Sequence, residues 1–334
     1  MSERSPLLAI ECLTYNHEPY IRQCLDGFIM QKTDFPFIAI VHDDASTDKT
    51  ARIIEEYALK YPDIIKPILE KENQYSKKDG SLGQTIKNAI PINTKYIAIC
   101  EGDDYWTDSN KLQKQVSFLE KHSEYVLTHT SYMRYYEFDK KFYPAPKIQL
   151  CENDEISPIS ILSGKYKILT ATTVFRFSIY KSLIESDPFL YSSGYFMMGD
   201  TPLWYDLSRK GKIKYFNEIT AVYRQNEGSA TRRKNPKLKY RFNLSSKELR
   251  MYLCERDYLP KAYYKQIRKE YSKALIKYQC FDEDFKPLFA YDKKITKLLV
   301  ILKSMRILKP ILSFLVNYRT ILGFMKRRIL NIKS

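Results

Sequence analysis

The 334-residue chain predicts an α/β protein with a mainly parallel, mixed sheet flanked by helices and followed by a helical C-terminal extension. Three observations carry that expectation. Short apolar strands alternate with helix-period segments through the first half of the chain. The spacing is that of βαβ units, which assemble into parallel sheets. Three polar turns, TYNHEP (14–19), DDASTD (43–48) and EGDDYW (101–106), follow apolar strands, so they gather at the carboxyl edge where such sheets bind ligands.

LLAIECL (7–13) reads as the first strand, and in YIRQCLDGFIM the residues Tyr20, Ile21, Cys24, Leu25, Phe28 and Ile29 share one helical stripe. PFIAIVH (36–42) is the second strand. After DDASTD, KTARIIEEYALKY sets Ala51, Ile54, Ala58 and Tyr61 on one face, with Ser46 or Thr47 placed to cap the helix. DIIKPIL (63–69) gives way through the polar loop EKENQYSKKDGSLG to a short helix, QTIKNAI, and TKYIAIC runs through EGDDYW into the helix SNKLQKQVSFLEKH. From about 126 to 230 the runs VLTHTSYM, TATTVFRF, GKIKYF and TAVYR read as strands, and TPLWYDLSRK reads as a helix with Leu203, Trp204 and Leu207 on its apolar stripe. They extend the sheet or form an adjoining half that completes the site. Tyr- and Lys-rich helical sequence then begins, which divides the chain into 1–234 and 235–334.

A 44% hydrophobic content suits a chain of this length with a buried core. The net charge of +16 is uneven: residues 1–230 hold 28 Lys and Arg against 31 Asp and Glu (−3), residues 231–334 hold 27 against 8 (+19). The six cysteines form no CxxC pair and have no metal-ligand spacing, a usage that fits reduced, buried thiols in a cytoplasmic protein. MSERSPLLAIECL reads as a first strand and not as an export signal, and no apolar run approaches the roughly 18 residues of a membrane span.

In CEGDDYW, Glu101, Asp103 and Asp104 crowd one turn. Unit charges about 4 Å apart repel by roughly 1 to 4 kcal/mol at effective dielectrics of 80 to 20, so a counter-charge is needed. Mg²⁺ or Mn²⁺ supplies one, taking one or two carboxylates from the protein and the rest of its shell from water and phosphates. The alternative is a solvated turn that caps the next helix. Gly102 leaves room for a ligand to approach the backbone. Asp44, Ser46 and Asp48 are likewise ordinary turn residues when taken alone, but two acidic turns on one sheet edge favour a site. No glycine-rich phosphate loop occurs at any strand-to-helix turn, so metal-held phosphate is favoured over glycine-cradled phosphate. Asp200, followed by Thr-Pro, reads as a helix N-cap. Trp106 and Trp204 are core residues or sugar-stacking platforms beside the turns.

The ordered set LTYNHEPYIRQCLDGFIMQ, VHDDASTDKT, YIAICEGDDYWTDSNKLQKQ and GDTPLWYDLSRKGKIKYFNEITAVYR resembles the bacterial family 2 glycosyltransferases of the GT-A fold, notably those that build surface polysaccharides, over about residues 5–230. The resemblance implies that Thr14 and Tyr15, with Glu18, wrap the nucleotide of an activated sugar. It implies that Asp44 and Asp43 reach the base or ribose, that Asp103 lies near the ribose, and that Asp104, with Asp103, holds a divalent metal, Mn²⁺ or Mg²⁺, on the donor diphosphate. Asp200 corresponds to the base that deprotonates the acceptor hydroxyl in an inverting single displacement. The donor is a nucleotide sugar, with uridine diphosphate sugars commonest by family analogy, and the acceptor is a saccharide or lipid-linked saccharide. Many relatives carry a His two residues beyond the Tyr-Arg of the final strand. This chain has Asn226 there, which leaves Arg224 or Arg232 as candidate diphosphate contacts.

Residues 293–334 hold 11 Lys and Arg and no acid, interleaved with Leu, Ile, Val and Phe and broken by Pro310. That pattern fits helices lying on an anionic membrane surface and predicts a cytoplasmic enzyme, peripheral on the inner face of the membrane; a helical cap on the catalytic domain is the alternative. Nucleic-acid binding is disfavoured because the first 230 residues are slightly acidic and carry no recognition motif. A sugar nucleotidyltransferase would need a Gly-rich, Arg-containing loop where TYNHEP stands, and pyrophosphate release from a nucleoside triphosphate would reveal one.

Overall fold

The computed structural model describes residues 5–146, 156–226, 235–279, 281–282 and 285–289. Two compact units divide the chain, Met1–Ser229 and Ala230–Ser334. The first unit starts with β1 (Leu8–Thr14), α1 (Ile21–Ile29), β2 (Phe37–Asp43), α2 (Thr50–Lys60), β3 (Ile65–Leu69), α3 (Ser81–Ala89) and β4 (Tyr96–Ile99). After these come β5 (Tyr105–Trp106), α4 (Lys111–Lys121), β6 (Tyr125–Tyr136), β7 (Lys141–Pro144), α5 (Pro158–Ser163), β8 (Val174–Arg176), α6 (Phe177–Ser186), α7 (Pro188–Ser192), α8 (Asp200–Ser208) and β9 (Lys212–Gln225).

One sheet runs in the order β3-β2-β1-β4-β8-β6-β9-β5, with β7 paired to β6. The first four strands are parallel. β8 is antiparallel to both β4 and β6, so the two reversals cancel; β6 and its parallel partner β9 again point the same way as β1. The carboxyl ends of β1, β2, β4, β6 and β9 therefore share one edge. β5 then runs back along the end of β9, pairing Tyr105 with Val222 and Trp106 with Ala221.

The alternation read in the sequence builds the core. Leu8, Ile10 and Cys12 of β1 and Ala39 and Val41 of β2 pack on Ile21, Cys24, Leu25 and Phe28 of α1. Each fully buried Leu, Ile or Phe contributes about 1.5–3 kcal/mol. Two local expectations change. GKIKYF and TAVYR are one strand, β9, whose register against β6 shifts where exposed Asn217 and Glu218 bulge outward. At α2 neither Ser46 nor Thr47 is the cap: Lys49 stands at the N-cap, and Asp48 before it accepts from the Thr50 N–H (2.9 Å) and Oγ1 (2.5 Å), while Ser46 and Thr47 bond elsewhere.

In the second unit, α9 (Pro236–Arg256) and α10 (Lys261–Gln279) form a helical hairpin. Asn235 starts it, accepting from the Leu238 N–H with Pro236 at the first helical position. Leu244, Met251, Ile267, Tyr271, Leu275 and Tyr278 fill the space between the helices, and the fully buried Glu248 is neutralised by Arg241 at 2.9 Å. The basic stretch 293–334 lies outside the described residues.

Candidate active site

The first two turns of the sheet edge are tied to each other. Thr14, buried, donates its hydroxyl to the His42 carbonyl and to Asp43 Oδ1, both at 3.1 Å. Asn16 and Ser46 interlock the turns further, the Asn16 N–H donating to Ser46 Oγ at 2.8 Å. Glu18 is spent on Lys49, accepting its backbone N–H and pairing with its ammonium, each at 3.1 Å, and these contacts hold its carboxyl below its ordinary pKa.

Asp43 and Asp44, expected at the base or ribose, are buried and braced by protein donors. Asp43 is 1% exposed and accepts from Thr14 Oγ1 (3.1 Å), Ser46 Oγ (2.5 Å) and the Ser46 N–H (2.9 Å). Asp44 is 5% exposed, and both its oxygens are taken by backbone donors, Gln74 at 2.6 Å and Tyr75 at 3.1 Å. Both carboxylates brace the wall between the turns. What this end of the edge exposes instead is Tyr15, Leu69 and Tyr75. Tyr75 comes from the polar loop EKENQYSKKDGSLG, where a lone aromatic among polar residues is its only sequence signal.

The acidic turn sits at the centre. Its strand entry is fixed by Cys100 N–H to the Glu11 carbonyl (3.0 Å) and Gly102 N–H to the Leu13 carbonyl (2.9 Å), and the turn closes through Asp104 N–H to the Glu101 carbonyl (2.9 Å). Gly102 is required by protein packing and not by room for a ligand, which corrects the earlier reading. A Cβ there would stand 2.5 Å from Thr14 Cγ2 and 2.9 Å from His17 Nδ1. Beneath the turn three thiols converge. Cys24 Sγ lies 3.9 Å from Cys12 Sγ and 3.5 Å from the Glu101 carbonyl, and Cys100 Sγ lies 3.8 Å from the same carbonyl. Burial pushes the thiols of Cys24 and Cys100 up.

The end of β9 clamps the acidic pair. The Arg224 N–H donates to Asp104 Oδ1 at 2.8 Å, Arg224 Nε to the Asp103 carbonyl at 2.8 Å, and Asn226 Nδ2 to Asp103 Oδ2 at 2.9 Å. Asp104 is 3% exposed, and burial, then the charge of Asp103, raises its pKa well above the carboxylate range. Glu101 is exposed at the start of the acidic turn. Its surroundings, then Asp103, then Asp200, push its pKa up to about 7. The charge of Asp200 is felt at Glu101, which sets it within electrostatic reach of the acidic turn. Asp200 is exposed and is the first residue of α8, with Gly199 at the N-cap, so it is not itself the cap. Its Oδ1 accepts from the Thr201 N–H at 2.6 Å, which leaves the carboxylate on the first helical turn, in the positive field of the helix dipole.

Of the two readings open for the tryptophans, the core one holds. Trp106 and Trp204, each 2% exposed, are core residues. Trp106 donates to the Ala171 carbonyl at 2.7 Å and packs on Phe28, and Trp204 packs on Phe175. His17, in the TYNHEP turn, is drawn into the site. It faces the charges of Asp103, Asp48 and Asp43 while burial lowers its pKa, and its Nδ1 has no hydrogen-bond partner among the described residues. Its place in the TYNHEP turn was the available signal. His129 is a core residue, bonded to the Tyr166 hydroxyl at 2.8 Å and pushed by burial down to about 3. Arg232 lies outside the described residues.

Against this geometry, residues 13–183 match the sequence profile of glycosyl transferase family 2. The chain belongs to that family. A relative in Mycobacterium bovis, the uncharacterized protein Mb1547, is 47% identical over 118 residues, 35% of this chain and 32% of that one. The match thus spans about a third of the length of this relative. Among solved structures, S. aureus TarS (residues 1–349) in complex with UDP superposes with a TM-score of 0.52 at 17% identity, covering 83% of this chain and 72% of that one. The mannosyltransferase PcManGT of Pyrobaculum calidifontis, in complex with GDP-Man and Mn²⁺, gives 0.50 at 14% identity, covering 93% and 84%. These likenesses show the GT-A fold.

Among the described residues no three His, Cys, Asp or Glu side chains are set to hold a metal unaided. What the edge offers is the Asp103–Asp104 pair and Asn226 Oδ1, a buried carbonyl oxygen with no hydrogen-bond partner. An all-oxygen, partial set of this kind fits a hard divalent cation that takes the rest of its shell from water and phosphate.

Proposed function

We propose that this chain is an inverting glycosyltransferase that moves a sugar from a nucleoside-diphosphate donor, a uridine diphosphate sugar first among them, to a hydroxyl of a saccharide or lipid-linked saccharide, with residues 1–234 as the catalytic domain. The observation that carries the reading is the gathering of Glu101, Asp103, Asp104 and Asp200 on one sheet edge, with the donor-side wall built by the first two turns. TarS and PcManGT, which share the fold, have been crystallised with UDP and with GDP-Man.

Asp200 accepts the proton of the acceptor hydroxyl while that oxygen forms its bond to the anomeric carbon. The bond from that carbon to the diphosphate oxygen breaks on the opposite face, so the configuration inverts. Its place on the first turn of α8 sets the carboxylate in the positive field of the helix dipole. Asp103 and Asp104 are the residues that would hold Mn²⁺ or Mg²⁺, which when bound neutralises charge on the departing diphosphate. The protein otherwise contributes position and electrostatics. Tyr15 and Tyr75 offer ring faces for the base. Residues 293–334 supply the membrane-surface contact that a lipid-linked acceptor at the inner leaflet requires.

A thermal-shift panel of UDP, dTDP and GDP sugars with and without Mn²⁺ tests the reading. A metal-dependent rise in Tm with one base supports it, and no shift with any of them overturns it.

A further inference from the structure

Arg224 does not face a ligand. Its side chain is 7% exposed, and each guanidinium nitrogen donates to a protein oxygen. Nε reaches the Asp103 carbonyl at 2.8 Å, one terminal nitrogen reaches Glu137 Oε1 at 2.5 Å and the other Gln23 Oε1 at 2.6 Å. Three rings enclose the cation, with centroids at 4.7 Å (Tyr20), 5.4 Å (Tyr105) and 5.5 Å (Tyr135). Glu137 sits just beyond the end of β6, where its N–H donates to the Gln225 carbonyl at 3.1 Å, and its second oxygen takes Lys140. The arrangement spans four elements and ends on the acidic turn.

Resting on the reading of Asp103 and Asp104 as the donor-diphosphate carboxylates, we propose that Glu137 is a positioning residue for the acidic pair. It anchors Arg224 sideways so that the cation braces the turn through the Asp103 backbone and does not fold onto the two carboxylates. A guanidinium released beside two buried-edge carboxylates finds them the strongest partners in reach, because a planar fork matches a carboxylate with two hydrogen bonds. Held by Glu137 and shielded by three rings, it leaves the carboxylate oxygens to a divalent cation and keeps the turn preorganised before donor arrives. Glu137 thus governs metal and donor affinity without touching either.

The test titrates Mn²⁺ into the full-length chain with saturating UDP, dTDP or GDP, whichever wild type retains, and reads free Mn²⁺ by its electron paramagnetic resonance signal. Glu137→Gln and Glu137→Ala are expected to weaken Mn²⁺ binding about tenfold or more while Tm stays within a few degrees of wild type. Lys140→Asn, which removes the exposed partner of Glu137's other oxygen and suits that residue's left-handed backbone, is expected to bind like wild type. Arg224→Gln, which removes the competing cation along with the brace, is expected to lose less Mn²⁺ affinity than Glu137→Ala does. A Glu137 variant with lower Tm and unchanged Mn²⁺ affinity overturns the positioning role and leaves the transferase reading intact. No nucleotide-dependent Mn²⁺ binding by wild type overturns both.

Discussion

At the scale of single residues, the site separates groups that react from groups that hold. Asp200 is solvent-open, while Asp43 and Asp44 are closed off by protein donors. Asp200→Asn is therefore expected to lower kcat about 10²- to 10⁴-fold with nucleotide affinity unchanged, measured by product formation beside nucleotide titration. Asp44→Asn puts an amide nitrogen where a backbone N–H now donates, so it is expected to weaken nucleotide binding by loosening the loop around Tyr75. Glu11 presents a different case. It is buried in β1, its Oε1 has no hydrogen-bond partner among the described residues, and burial, opposed by Lys87, raises its pKa to about 7. Between its ordinary value near 4.5 and about 7, the folded chain keeps a proton that the unfolded chain has lost. Stability on this account is full below the lower limit and falls as pH rises across that window, by about 3 kcal/mol at most. Glu11→Gln should flatten this part of the profile and raise stability at pH 8, by denaturant melts at several pH values. Glu101 titrates with the same sign, so the difference between the two proteins isolates Glu11.

At the scale of elements, adjoining loops are fastened backbone to backbone. Gly80 (φ 82°) and Gly194 (φ 67°) stand where a Cβ would come within 1.7 Å of the Ser192 carbonyl and 2.4 Å of the Lys78 carbonyl. The segment that seats Asp44 thus abuts the segment that leads to Asp200. Gly80→Ala is expected to lower both nucleotide affinity and kcat, since it pushes the two apart. Strands and helices with strong periodicity were legible beforehand: β1, β2, β4 and α1 fall where alternation and the helical stripe put them. What escaped was set by tertiary contacts. The bulge that makes β9 continuous depends on its pairing with β6, and the roles of Asp43, Asp44 and Arg224 depend on which donors and carboxylates the fold brings to them. A motif shows that a carboxylate is near a ligand site, but not which protein donors brace it. Trp106 and Trp204 teach the same lesson in reverse, since proximity in sequence to catalytic turns placed them beneath the site and not on it.

At the scale of the whole molecule, two antiparallel reversals restore the strand direction and deliver the end of β9 to the acidic turn after it. Glycosyl transferase family 2 matches residues 13–183, which stop short of β9, yet Arg224 and Asn226 are what bond the Asp103–Asp104 pair. Truncation after residue 183 is expected to give no metal-dependent nucleotide binding, by the same titration used for the full chain. Deletion of 293–334 is expected to release the protein from anionic phosphatidylglycerol vesicles while preserving nucleotide binding, with flotation as the measurement. Unchanged flotation would move the membrane contact elsewhere. Among the described residues no helix is long and apolar enough to cross a membrane.

The three thiols under the Glu101 carbonyl turn the acidic loop into something that can be timed. Packed as they are, Cys12, Cys24 and Cys100 meet an alkylating reagent only in the moments when that loop lifts, and the buried Cys254 of the second unit supplies an internal reference. Residue-resolved labelling rates, taken with and without nucleotide and Mn²⁺, would count how often the acidic loop unlatches and how far a bound donor keeps it shut.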